Sequence, residues 1–161
     1  MIVLALDVGS MRIGVATSDE SELLATPHSI IQRRNTKSAL AAVAQLIEQT
    51  QAGLVVVGLP VSFDGQLHAQ AEAVQSFAEK LRRRIRVPLV YADETLSSVR
   101  AEEMLRASGM RPERIRERLD AAAAAVILQE YLDHRRPAAP EPTTDSTNGA
   151  TEIAKSHDQD V

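Results

Sequence analysis

The sequence predicts an α/β fold: a mixed five-stranded sheet, three antiparallel strands then two parallel ones, flanked by helices. Three observations carry it. Short apolar runs end abruptly at turn residues, as buried strands do. The first three runs follow each other too closely for helices to fit between them, so they should pair antiparallel. The last two are each reached through a segment with helical apolar spacing, which implies parallel neighbours.

Residues 2–6 read as a buried strand, and "RIGVATSD" at 12–19 as a second, close enough to form a hairpin with it. "ELLATPHSII" at 22–31 gives the third. Thr36 to Gln51 is predicted helical, because Leu40, Val43, Leu46 and Ile47 fall on one stripe. "LVVVG" at 54–58 is a continuous apolar run, as expected of a strand covered on both faces. Leu67 to Arg84 is a helix with Val74, Phe77 and Leu81 aligned, and "VPLVYA" at 87–92 is the fifth strand. Leu96 to Ala107 is helical, with Thr95 as its candidate cap. Gly109 and Pro112 break the pattern, so 108–118 reads as a loop. Leu119 to Asp133 reads as the last helix, Ala-rich, with Val126, Leu128 and Leu132 as apolar contacts.

Composition narrows the chemistry. The chain has 161 residues, enough for one domain and a tail. From Pro137 the sequence is rich in Pro, Thr, Ser and Asp without apolar periodicity, so residues 137–161 should be a disordered acidic tail after a domain at 1–136. Aromatic residues make up only 2%, so Ala, Leu, Val and Ile must build the core. There is no Cys, which excludes disulfides, thiolate nucleophiles and Cys-ligated zinc. No apolar run approaches the roughly 18 residues needed to cross a bilayer. No basic stretch precedes the first apolar run, so no leader is expected, and a cytoplasmic protein is. The net charge of −4 comes from the tail, while the domain is neutral overall. Its basic residues cluster, however: "KLRRRIR" at 80–86 and "RPERIRER" at 111–118 can bind phosphate locally, or can be solvated helix faces balanced by acids.

Ligands of α/β sheets bind beyond the carboxyl ends of the strands. Acidic residues fall there at three places. Asp7 ends the first strand, Asp93 and Glu94 follow the fifth, and Asp120 opens the last helix, followed by five alanines small enough to let that helix press on the sheet. Read singly, each has a plain structural role: hairpin residue, helix N-terminal acid, ion-pair partner. Together they repel unless a cation lies between them. Oxygen ligands without Cys favour Mg²⁺ or Mn²⁺, one ion or two, and two such ions clamp a phosphodiester. With basic clusters nearby to hold phosphates, the parts describe a metal-dependent nuclease. None of the four histidines stands in a pattern that implies a role.

The blocks "LALDVGSMRIGVATSD", "VVVGLPVSFDGQLHAQAEAVQSFAEKL", "YADETLSSVRAEEML" and "LDAAAAAVILQEYLD" resemble, in that order, the YqgF/RuvX family of pre-16S rRNA nucleases and Holliday junction resolvase-like proteins. The resemblance implies an RNase H-like fold and a hydrolase, endo- or exonuclease, that cleaves structured nucleic acid with a divalent metal. It implies a place in ribosome biogenesis, trimming the 5′ end of pre-16S rRNA, with ribosomal subunits as further partners, no membrane, and a monomer or homodimer. The family's catalytic, metal-binding acids fall on Asp7, Glu94 and Asp120. Asp7 would be shared by both ions, with Glu94 and Asp120 each completing one shell.

Two departures concern substrate contacts. Thr95 stands where the family commonly has an arginine, and Ala121 where it commonly has a lysine. Arg100, Arg116 or Arg118 could compensate. Arg12 is a candidate phosphate contact or an exposed turn charge. Arg111, Arg114, Arg116 and Arg118 would make the 108–118 loop a substrate clamp. Gly58, at a strand end in "VGLP", suits close backbone approach or merely the turn before Pro60. Three other readings stand beside pre-rRNA processing: a Holliday junction resolvase in DNA recombination, a non-catalytic RNA- or ribosome-binding protein, and a nucleotide-binding domain. For the last, "DVGSMRIGVA" also resembles the first phosphate loop of the actin and Hsp70 superfamily.

Overall fold

Each of the five apolar runs becomes a strand in the computed structural model, which describes residues 1–60, 69–93 and 97–135, without the side chains of 97–99, 116 and 117. The strands are β1 (Ile2–Val8), β2 (Arg12–Ser18), β3 (Ala25–Gln32), β4 (Ala52–Leu59) and β5 (Leu89–Asp93). They form one sheet in the order β3-β2-β1-β4-β5. β1, β2 and β3 pair antiparallel, while β4 runs parallel to β1 and β5 parallel to β4, as the connection lengths predict. β1 is therefore central, which is why its apolar run is almost unbroken.

The helices are α1 (Thr36–Thr50), α2 (Ala69–Arg84), α3 (Ser97–Ala107) and α4 (Pro112–Arg135). Asn35 caps α1: its side-chain oxygen accepts from the Ser38 N–H at 2.8 Å, satisfying a donor that the helix itself leaves open. Gln51 closes α1 in the left-handed conformation. The predicted residues Leu67 and His68, the candidate cap Thr95 and the tail from 136 lie outside the described residues.

The alternation of each strand splits the core in two. On one face Leu4, Leu6 and Val8 of β1 pack with Ile13, Val15, Val55 and Val57 beneath α1 and α2, around Phe77, Val43 and Leu81. On the other, Val3 and Ala5 pack with Ala16, Leu54 and Val56 beneath Ala124, Ala125, Leu128 and Leu132 of α4. α3 lies against α4 through Ala101, Ala122, Ala123 and Val126. Alanines dominate the second face, so α4 sits close to the sheet.

One expectation is corrected. Residues 112–118 are not a loop but the first turns of α4, so Asp120 lies in the third turn of that helix rather than at its opening. Pro112 supplies a helical φ at a position where no N–H is needed, and buried Ile115 anchors the segment. α3 closes by the Schellman pattern: Gly109, at φ 78°, donates to the Arg106 carbonyl, and Met110 to that of Leu105. The α3–α4 connection is thus a short turn. The arginine-rich sequence concealed the helix because Ile115 is the one buried residue among those described in that segment.

Candidate active site

Asp7 belongs to β1 itself, one residue before its end. Its side chain takes the face of Val3 and Ala5, toward α4. Its partner across the antiparallel ladder is Gly14. A Cβ at Gly14 would collide with the backbone carbonyl oxygen of Asp120 and lie 2.9 Å from the Ala121 N. Gly14 is therefore the contact that lets α4 descend onto β2, and it does so opposite Asp7. Two carboxylates remote in sequence are brought to one end of the sheet by a residue without a side chain.

The same row continues across the sheet. One residue beyond the Leu6–Val57 pair stand Asp7 and Gly58, and Gly58 in turn pairs with Ala92 of β5. Across four strands the level reads Gly14, Asp7, Gly58, Ala92. Small residues on both sides leave room around a single carboxylate.

Asp120 carries a cation already. Arg12 Nε lies 3.2 Å from its Oδ2, with the side chains 49% and 30% exposed. Arg12 starts β2 on the same face as Gly14, which is what aims it at Asp120. The turn that precedes it is tight: Gly9 N–H donates to the Arg12 carbonyl at 2.9 Å, and a Cβ at Gly9 would stand 2.6 Å from that oxygen.

The other predicted residues are placed less uniformly. Glu94 lies outside the described residues, directly after β5 in sequence, and among the described residues no three acids or histidines are grouped to hold a metal ion. Arg100 is ion-paired with Glu130 of α4, beside a cavity lined by Ala92, Asp93 and Tyr131. Arg118 is exposed and lines a groove with Pro27, His28 and Leu105. Arg111 and Arg114 line the surface at the start of α4, and the side chain of Arg116 is outside the described residues. In the 80–86 cluster Arg82 is structural: it donates to the Leu89 carbonyl at 2.8 Å and to Glu79 at 3.1 Å. Arg82, and then Tyr91, hydrogen-bond the Glu79 carboxyl and hold its pKa below the usual value. Burial first, then the bond to Glu79, raises that of the Tyr91 phenol.

Gly14 is the residue that sequence reasoning missed. An isolated glycine inside a strand pattern signals close backbone approach, and that signal was present at Gly14 as well as at Gly58.

The model of the RuvX family, described as Holliday junction resolvase, matches residues 1–134. The chain belongs to the RuvX family. A relative from Chloroflexus aurantiacus, named "Putative pre-16S rRNA nuclease", is 44% identical over 135 residues, covering 84% of this chain and 88% of the relative. One of the same name from Synechococcus elongatus is 43% identical over 133 residues, covering 83% and 89%. Among solved structures, Thermus thermophilus RuvC in complex with a Holliday junction substrate superposes with a TM-score of 0.53 at 19% identity, covering 84% of this chain and 96% of that one. The fowlpox virus resolvase bound to Holliday junction DNA superposes with a TM-score of 0.53 at 14% identity, covering 83% and 98%. These likenesses make the fold of this RuvX-family chain RNase H-like. No helix among its described residues is long and apolar enough to cross a membrane.

Proposed function

We propose that this RuvX-family chain is a nuclease that hydrolyses phosphodiester bonds in structured nucleic acid, with the 5′ end of pre-16S rRNA as its favoured substrate. The observation that carries the reading is the row Gly14–Asp7–Gly58–Ala92 with Asp120 held against its edge. It sets two carboxylates at the open end of a central strand with space between the flanking side chains.

The donor set fits a hard divalent cation. The ligand atoms are carboxylate oxygens, and a guanidinium already stands against Asp120, so the site accommodates positive charge as it is built. Asp7, Asp120 and Glu94 would hold Mg²⁺ or Mn²⁺. When bound, the ion supplies Lewis-acid stabilisation of the charge that develops on the phosphodiester. The chain's own part is positional. β1, held in the core on both faces, fixes Asp7, and the Gly14 contact fixes Asp120. Arg12 orients the Asp120 carboxylate, and its half-exposed side chain keeps further N–H donors for a phosphate oxygen. Such preorganised charge is the main route by which phosphoryl-transfer enzymes work.

The relatives' name favours pre-rRNA, and the family description favours junction DNA as the second reading. A four-way junction is two-fold symmetric and suits a two-fold dimer. Cleavage of a pre-16S 5′ fragment, of single-stranded RNA and of a four-way DNA junction, each with Mg²⁺ or Mn²⁺, tests the proposal. Structured RNA cut by wild type and left intact by Asp7→Asn supports it. Junction cleavage alone, by a dimer, replaces it with the second reading. Salt-dependent binding without any cleavage replaces it with a binding protein.

A further inference from the structure

A second feature of the same sheet end lies on the opposite face, between the β1–β2 turn and the start of α1. Here a cavity of about 550 Å³ is lined by Gly9, Ser10, Arg33, Arg34, Asn35 and Gln70, among others, and no carboxylate lines it among the described residues. We propose that this cavity takes a backbone phosphate of the substrate strand, outside the bond that is cleaved, with Arg34 as its principal contact. The proposal rests on the nuclease reading above and extends the substrate path beyond the acids.

Arg33 builds the wall. Its backbone N–H donates to the Met11 carbonyl at 2.8 Å, and Nη1 donates to the Gly9 carbonyl at 3.0 Å. Nη2 reaches Thr36 Oγ1 at 3.4 Å, and the guanidinium stacks 4.9 Å from the Phe77 ring centroid. These contacts lock the start of α1 to the turn that follows Asp7. Arg34, next in the chain, is exposed, and among the described residues it makes no ion pair and no hydrogen bond. Lys37 adds a second exposed positive charge, in the first turn of α1, which contains no acid.

That arrangement is unfavourable for the domain by itself. Adjacent like charges repel, and cations at a helix N-terminus oppose its dipole. Among the described residues Arg12, Arg82, Arg100, Arg106 and Arg135 pair with acids, and Arg34 beside the cavity does not. A fork of N–H donors such as that of Arg34 suits a phosphate. The placement fits a nucleic-acid strand. Gly9 is two residues beyond Asp7, so at most about 7 Å of chain separates them. Asp7 faces α4 and the cavity opens on the α1 side, so a strand laid over the Gly9–Ser10 turn meets both.

The test is binding of a fluorescein-labelled RNA hairpin to the full chain by anisotropy, in an Asp7→Asn background, between about 50 and 200 mM salt. Arg34→Ala should weaken binding and reduce the slope of log K against log salt by about one. Arg34→Glu should weaken it further, and Arg34→Lys should keep most of the slope. In the cleavage-competent protein, Arg34→Ala should raise KM and leave kcat unchanged. Unchanged affinity and slope in both Arg34→Ala and Arg34→Glu overturn the phosphate site, while Asp7-dependent cleavage keeps the nuclease reading intact. Thermal stabilisation by ATP that Arg34→Ala abolishes, with RNA binding unaffected, overturns it in favour of a free-nucleotide site. Cleavage that persists in Asp7→Asn overturns the nuclease assignment instead, and the Arg34 slope still decides the phosphate site.

Discussion

Replacing Gly14 with alanine adds one methyl group where β2 and α4 meet, and the structure fixes what that group encounters. Its nearest neighbours are backbone atoms, the Asp120 carbonyl and the Ala121 N at 2.9 Å, and neither can turn away as a side chain would. Ordinary contact begins near 3.4 Å, so α4 must retreat by at least about 0.5 Å at Ala121 and by more at Asp120. Overpacking of this kind costs about 1–3 kcal/mol, occasionally more. For a domain of this size that corresponds to a fall in Tm of roughly 3–15 °C. The same retreat carries the Asp120 carboxylate away from Asp7, and a displacement near 1 Å at a catalytic group costs about 100-fold in rate. Thermal melting by circular dichroism and cleavage of a labelled structured RNA read the two effects separately. A Gly14→Ala protein that melts within about 1 °C of wild type and cleaves at the wild-type rate would refute the claim that this contact positions Asp120.

Other substitutions separate structural from functional charges. Arg12→Ala removes an exposed ion pair worth about 0–1 kcal/mol, so the melt should barely move while the salt slope of RNA binding falls by about one. Gln129 accepts from the Ala25 N–H at 2.9 Å and donates to the Leu23 carbonyl at 3.0 Å, tying α4 to the β2–β3 connection. Gln129→Ala should cost about 1–2 kcal/mol in urea unfolding with little loss of activity. The lowered Glu79 pKa means the unfolded carboxyl takes up its proton first as pH falls. Stability from this group is therefore present above its ordinary value of 4.5 and lost below it, and Glu79→Gln should flatten the acid limb of the pH–stability curve. The raised Tyr91 pKa has the opposite sign: its contribution is lost as pH rises above 10.0, which absorbance of the phenolate can follow in the presence of Tyr91→Phe as control.

Much of the fold was legible because strand and helix declare themselves by period. The run 2–6 and the stripe Leu40–Val43–Ile47 needed no tertiary information, and the connection lengths settled which neighbours run parallel. The first turns of α4 did not declare themselves, because their helicity comes from Pro112, the close of α3 at Gly109 and the buried Ile115. Asp7 and Asp120 could be nominated as acids at element boundaries, yet what joins them is a register, Asp7 opposite Gly14, and a register depends on how two strands slide. The alanines after Asp120 did signal a close helix. The surface to which it is close, Gly14 rather than β1 itself, emerges only when the sheet is assembled. Arg34 carried no motif at all and stands out only through its place beside Arg33 in the lining of a cavity next to the Gly9–Ser10 turn.

The central claim is that Asp7 and Asp120 act together at one site. The most direct measurement is the cleavage rate of a pre-16S 5′ fragment by wild type, Asp7→Asn and Asp120→Asn, each shown by its melt to be folded, with Mg²⁺ or Mn²⁺ present. Losing a carboxylate that holds the catalytic charge should remove several kcal/mol of transition-state stabilisation, so each variant should be slower by about 1,000-fold. The double variant should be scarcely slower than either single one, because residues that act as a unit are not additive. Wild-type cleavage by either folded single variant would contradict the account.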